Sequence, residues 1–215
     1  MHMKFPFFLI ISTLLAALNL NAQSSPQVAL EKLKSPGLVT LHVIKKVKSN
    51  LMGTESQLPG KIFLAKDRFR WDTDGTESSS IIYDGINLWT IQQPPKGFKA
   101  AAQVTRMKMS SKTESQIFLK KLLQDKLEKN FSISKKSEDK KKKAWRFYLK
   151  PTELNSVTNQ LEILVANEGN LVEVSYEDEI QNKIIIEIEK IKKTAEIPKE
   201  MFKYSPPKGT QVNEL

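Results

Sequence analysis

Apolar and polar residues alternate with period two from Leu38 onward. Val39, Leu41, Val43 and Val47 share one side of an extended segment, and Lys45 interrupts that side. The same period returns at Ile62 and Leu64, and at Phe69 and Trp71 with Arg68, Arg70 and Asp72 opposite. Asp74-Gly75 and Asp84-Gly85 are turn signals around strands at Ser80 to Tyr83 and Asn87 to Gln92, and residues 93–97 close the run in a loop. Further on, Trp145, Phe147 and Leu149 alternate with Arg146, Tyr148 and Lys150. Leu161, Ile163 and Val165 follow, then Leu171 to Tyr176, then Ile184, Ile186 and Ile188.

Two segments carry helical signals. Ser25-Pro26 opens a short helix over Val28 to Lys34 that Pro36-Gly37 stops. Ser111-Lys112-Thr113-Glu114 has capping-box spacing and leads into an apolar stripe of Phe118, Leu119, Leu122, Leu123 and Leu127. Strands with one apolar face imply an antiparallel sheet covered on one side. The pattern therefore predicts an α+β, mostly β fold: a strongly curved antiparallel sheet, or incomplete β-barrel, with short helices covering its concave side.

The N-terminus is patterned differently. Lys4 precedes an apolar run from Phe5 to Leu20, broken only by Pro6, Ser12, Thr13 and Asn19, and Asn21-Ala22 offers a small residue for cleavage. This is the order of a secretory signal peptide, with a retained anchor as the alternative. The expected organisation is a leader over residues 1–22, cleaved near Ala22, and one domain over residues 23–215. No cysteine stands at the cleavage point to carry a lipid.

The leader holds one of the 34 basic residues and none of the 24 acidic ones, so its removal takes the net charge from +10 to +9. Such a balance favours anionic surfaces. Export argues against nucleic acid, and no stretch resembles a nucleic-acid-binding motif. The chain has no cysteine and only two histidines, His2 and His42, which excludes thiol catalysis and zinc sites built on several Cys or His ligands. Asp72 to Glu77 is too short for the calcium-loop spacing and suits a polar hairpin turn. His42 has no Ser or acidic companion nearby in sequence and reads as a structurally placed imidazole. Lys135 to Lys143 reads as a solvated hairpin loop between strands near Phe131 and Trp145, or as a docking patch for anionic headgroups or an acidic partner.

Several short motifs lie in a telling order. Gly60-Lys61-Ile62-Phe63-Leu64, Arg68-Phe69-Arg70-Trp71 and Ile82-Tyr83-Asp84-Gly85-Ile86-Asn87-Leu88-Trp89 are followed by Ile117 to Leu123 and by a C-terminal run from Met201 to Val212 containing Pro206-Pro207-Lys208-Gly209. Together they resemble the periplasmic outer-membrane lipoprotein carrier family, LolA, across nearly the whole chain after the leader. Where family members carry Arg-Pro before the Phe-Arg-Trp strand, this chain reads Lys66-Asp67.

The resemblance implies a carrier, not an enzyme, with no cofactor or metal. It would take acylated lipoproteins from an inner-membrane lipoprotein-releasing ABC transporter and deliver them to an outer-membrane lipoprotein receptor, as a periplasmic monomer. The residues expected to meet acyl chains are Phe69, Trp71, Trp89, Trp145 and Phe147 from the strands and Leu119, Leu122 and Leu123 from the lid. Ordinary core is the other reading of all eight. The family arginine linked to closing the lid and releasing cargo corresponds to Lys66, with Arg68 and Arg70 as alternatives. Two other functions fit the same fold: a sensor of lipoproteins or acyl chains, and a binder of glycolipid or another anionic envelope polymer.

Overall fold

The computed structural model describes residues 25–76, 78–109, 118–152, 161–178 and 180–215. The leader and the capping-box residues Ser111 to Glu114 lie outside them. A short helix α1 (Pro26–Glu31) precedes six strands: β1 (Leu38–Ser49), β2 (Thr54–Ala65), β3 (Arg68–Thr73), β4 (Ser79–Tyr83), β5 (Asn87–Gln92) and β6 (Gln103–Lys108). Helices α2 (Phe118–Gln124) and α3 (Leu127–Asn130) follow. The chain then runs through β7 (Phe131–Asp139), β8 (Ala144–Pro151), β9 (Leu161–Ala166), β10 (Leu171–Glu177), β11 (Lys183–Thr194) and β12 (Val212–Glu214).

Among the described residues the strands form one open, curved sheet in the order β12-β6-β5-β4-β3-β2-β1-β11-β10-β9-β8-β7. Neighbours are antiparallel except β12, which lies parallel to β6. The centre is the long pair β1 and β11, whose register slips between His42 and Val43. Such bulges add twist and bend a strand, as does a second slip between Ile133 and Lys135 on edge strand β7. Gly37 admits the chain into β1, because a Cβ there would stand 2.1 Å from the Thr194 carbonyl oxygen.

Alternation sorts the two faces as the sequence pattern requires. Val39, Leu41, Val43, Ile62, Leu64, Phe69 and Trp71 are buried in one apolar cluster with Phe147, Leu149, Ile163, Val174 and Ile186. The helices complete that cluster: Ala29 and Leu30 from α1, Leu119, Leu122 and Leu123 from α2, and Leu127 from α3. This is the covered, concave side. On the convex side Arg146 reaches Glu162 at 3.1 Å, Glu173 at 3.0 Å and Asp139 at 3.3 Å, while Lys142 reaches Glu173 at 2.6 Å. Glu173 is only 4% exposed. Burial alone would raise its pKa, but the bonds from Lys142 and Arg146 more than offset this and hold it below the usual glutamate value.

Three sequence expectations change. The lid stripe is not one helix: α2 ends at Gln124, and Leu127 begins a separate turn at α3. That turn carries the chain into edge strand β7. Residues 135–139 are strand, paired with β8, so only 140–143 form the turn. An extended β2 and strands β6 and β12 also appear. Residues 54–57 of β2 are exposed and apolar-poor, which is why alternation does not mark them.

Candidate functional site

The helices pack over the concave face of the curved sheet and, in the place of the expected lid, fill its hollow with apolar side chains. Its strand-borne lining follows from period two: Phe69 and Trp71 point inward because Arg68 and Arg70 point outward. Phe147 and Leu149 do the same on β8, with Trp145 partly buried beside them. The three helices touch one another, so the lid behaves as a small layer with the leucines of α2 beneath it.

Polar bonds also tie this lid to the sheet. The Gln124 side-chain amide donates to the carbonyl oxygens of Ala65, at 2.7 Å, and Arg68, at 3.0 Å, on either side of the β2–β3 turn. Its own Oε1 is buried without a partner among the described residues. The Leu127 backbone N–H donates to Gln27 Oε1 at 3.1 Å, linking α3 to α1. Lys32 ties α1 to the β9–β10 turn through the Glu168 carbonyl at 2.9 Å and Asn170 Oδ1 at 3.2 Å.

Where α1, α2 and the β2–β3 turn meet, a cavity of about 370 Å³ opens. Leu33, Val39, Leu64, Ala65 and Leu123 floor it, and Lys34, Lys66, Asp67, Lys120 and Asp125 stand at its rim. Asp67 adopts a φ of 58°, the left-handed conformation that makes the turn beside Lys66 tight. The exposed Lys66 thus stands at the entrance to the lid, one residue along from the Ala65 carbonyl that Gln124 grips.

The residues expected to meet acyl chains are not all brought together. Phe69, Trp71, Phe147, Leu119, Leu122 and Leu123 share the concave cluster, and Trp145 packs against it. Trp89 lies apart. It belongs to a second cluster with Ile82, Ile91 and Val104 on the other side of the sheet, where Tyr204 tilts over its ring at 5.3 Å and the Arg106 guanidinium lies 5.4 Å from its centre. Its indole N–H points to Asp84 Oδ2 at 3.4 Å.

Arg68 and Arg70 also face away from the hollow. The Arg68 guanidinium lies 5.1 Å over the buried ring of Phe202, and Arg70 donates to both oxygens of Asp72 at 2.9 Å and to the Met201 carbonyl at 3.2 Å. Both hold the C-terminal strap on the outside of the sheet. Of the three lid and release candidates, only Lys66 has its side chain at the lid, while Arg68 meets it through its backbone carbonyl.

Sequence reasoning missed two polar residues that belong to the site. Gln124 carries no signal, since its partners are backbone carbonyls distant in sequence. Lys45 did carry one, as the charged residue in an inward-facing apolar series. Its ammonium sits 5.2 Å over the Trp71 ring. Gly60, opposite Val43 in the register, leaves that indole its space, for a Cβ there would lie 2.6 Å from the Asp72 carbonyl oxygen and 3.5 Å from Trp71 Nε1. Among the described residues no cluster of His, Asp and Glu could hold a metal ion, and no helix is long and apolar enough to cross a membrane.

A family model described as outer membrane lipoprotein carrier protein LolA matches residues 27–205. No curated protein matches the chain. Among solved structures, the chain is similar to a LolA superfamily protein from Nitrosomonas europaea, at 9% identity and TM-score 0.46, over 86% of this chain and 97% of that one. It is also similar to an outer membrane lipoprotein-sorting protein domain from Vibrio parahaemolyticus, at 11% identity and TM-score 0.44, over 88% and 95%. The MucA/MucB complex of Pseudomonas aeruginosa follows at 9% identity and TM-score 0.33, over 87% and 61%. None of these three likenesses bears on function.

Proposed function

Because the chain belongs to the outer membrane lipoprotein carrier protein LolA family, we propose that it is a periplasmic carrier that shields the acyl chains of lipoproteins between the inner and the outer membrane. The family is one of carriers and binders of lipid or lipoprotein cargo. The observation that carries the finer reading is the lid: three short helices cover an apolar sheet face, and their leucines fill the space that acyl chains would take.

Magnitudes make the exchange workable. Lifting α2 would bare Leu119, Leu122 and Leu123, each worth about 2 kcal/mol when buried, so opening costs on the order of 6 kcal/mol. An acyl chain gains about 0.8 kcal/mol for every CH₂ taken from water, so a chain of about sixteen carbons offers roughly 12 kcal/mol. Cargo can therefore displace the lid, and the difference stays small enough for handover. No covalent step is needed. An inner-membrane ABC transporter would load the carrier, and an outer-membrane receptor would accept from it.

Depletion of the protein followed by fractionation of the envelope tests this. Acylated lipoproteins are expected to accumulate in the inner membrane. Normal sorting in depleted cells, with no acylated lipoprotein co-purifying with the protein, would overturn the carrier reading.

A further inference from the structure

Three lysines on the central strand β1 meet different fates. Lys46 and Lys48 point outward and find carboxylates, Glu187 at 2.8 Å and Glu55 at 3.2 Å. Lys45 points inward between Val43 and Val47, opposite Leu58 of β2 and Ile186 of β11. Among the described residues it makes no ion pair or hydrogen bond, and its ammonium rests only on the face of Trp71. A solvated cation loses hydration in such a place, and burial lowers the pKa of Lys45, with the charge of Asp178 partly opposing.

Beside Lys45 the hollow changes character. A second cavity, of about 330 Å³, is lined by Lys45, Leu58, Thr73, Thr76, Ser79 and Gln92. Thr73 and Ser79 lie opposite each other in the register of β3 and β4, with their hydroxyls 2.6 Å apart. One hydroxyl proton is spent between them, and the Thr73 hydroxyl also lies 3.5 Å from the Ser79 carbonyl oxygen, so a ligand would take the second proton in exchange for that long, weak contact. The Gln92 carboxamide adds N–H donors at the same end. Ammonium, hydroxyl and carboxamide donors around one small cavity, continuous with an apolar sheet face, suit a head that is anionic, compact and singly charged.

We propose that this end of the hollow binds the carboxylate of a free long-chain fatty acid, with Lys45, the Thr73–Ser79 hydroxyl pair and Gln92 receiving the head and the Trp71 side of the concave face receiving the chain. A carboxylate supplies the ion-pair contact that Lys45 lacks among the described residues and accepts from all the donors at once. A single cation matches a single negative charge. The inference rests on the reading that the hollow shelters acyl chains, and it adds a second cargo class that carries its own charge.

The test compares dodecanoate with 1-dodecanol, the same chain without the charge, by calorimetric titration of the purified protein at pH 8 below micelle-forming concentrations. Wild type is expected to bind dodecanoate at least tenfold more tightly than dodecanol, the scale of one charge-assisted hydrogen bond. Lys45→Met is expected to lose that preference, and Lys45→Arg to retain most of it. Thermal melts establish that both variants fold. Equal binding of the two ligands by wild type, or a preference that survives in Lys45→Met, would overturn the anion site and leave the acyl shelter standing. Tighter binding of lysophosphatidylglycerol than of dodecanoate would overturn the carboxylate assignment. Binding of neither chain would remove the anion site and the sheltering hollow together.

Discussion

Replacing Gln124 by Ala removes a side chain that bonds α2 to both sides of the β2–β3 turn. Two neutral hydrogen bonds are lost, at 2.7 Å to the Ala65 carbonyl and 3.0 Å to the Arg68 carbonyl. Each is worth about 1 kcal/mol net. The orphaned Oε1 disappears with them, and its relief returns part of that loss. The closed lid should therefore lose about 1–2 kcal/mol, which shifts the closed-to-open ratio by about 5–30-fold.

Native-state hydrogen exchange reads this shift directly. Amides of residues 118–124 should exchange about 5–30 times faster in Gln124→Ala, while those of Val39 to Val43 in β1 keep their protection. A Gln124→Glu variant sharpens the test. Its ionised carboxylate would face the two carbonyls and open the lid further than Ala does, and acidification would restore one donor and part of the protection. Unchanged exchange in α2 would refute the latch. Equal acceleration throughout the molecule would show that Gln124 supports the whole fold and not the lid.

Other regions yield predictions of different kinds. Arg146→Met should cost on the order of 3 kcal/mol in urea denaturation at neutral pH, because it strips the buried Glu173 of one of its two cationic partners. The folded-state pKa of Glu173 lies below its ordinary value, so that stabilisation is present at neutral pH and is lost as pH falls through the folded value. The gap between wild type and variant should narrow in acid, and a gap independent of pH would argue against a charge effect. Phe202→Ala should cost about 3–5 kcal/mol, since the ring is 1% exposed against Leu38 and Ala65. Its acyl-chain affinity should stay near wild type, because the strap lies outside the hollow. Bromine-labelled acyl chains should quench Trp71 and Trp145 but not Trp89, so Trp89→Phe should keep the full quenching response and Trp71→Phe should lose much of it.

Period-two alternation made most of the sheet legible because burial on one side imposes it. Arg68, Phe69, Arg70 and Trp71 sort themselves between faces with no other information. The same rule fails at β5. There Leu88 enters the concave cluster while Trp89 and Ile91 enter another beneath Tyr204. Apolar residues occupy both sides, and alternation cannot say which faces the hollow. What decides it is the C-terminal strap, brought back more than a hundred residues later to lie along β6, a non-local contact that no local pattern records. The strap also explains the misplaced arginines. Arg68 and Arg70 are outward by periodicity, and their partners Phe202 and Met201 are on the strap. Gln124 was illegible for a related reason, since a side chain that bonds to backbone carbonyls leaves no partner residue type to recognise.

The two sides of the sheet are thus closed in different ways. On the convex side Arg146, Lys142, Lys46 and Lys183 each reach a carboxylate, and the apolar strip of β4 to β6 is covered by the strap. Those contacts bind the chain to itself over long sequence distances, and an occupant would have to break several of them at once. On the concave side the cover consists of short helices joined to the sheet by leucine burial and hydrogen bonds, and among the described residues the inward Lys45 makes no ion pair. Apolar contact is non-directional, so acyl carbons can replace leucine carbons without leaving a bond unmade. A polar cover could not be exchanged in this way, because each displaced donor would need a new acceptor. A sheet with one self-satisfied face and one face closed by a replaceable apolar lid is therefore suited to holding something greasy for a limited time.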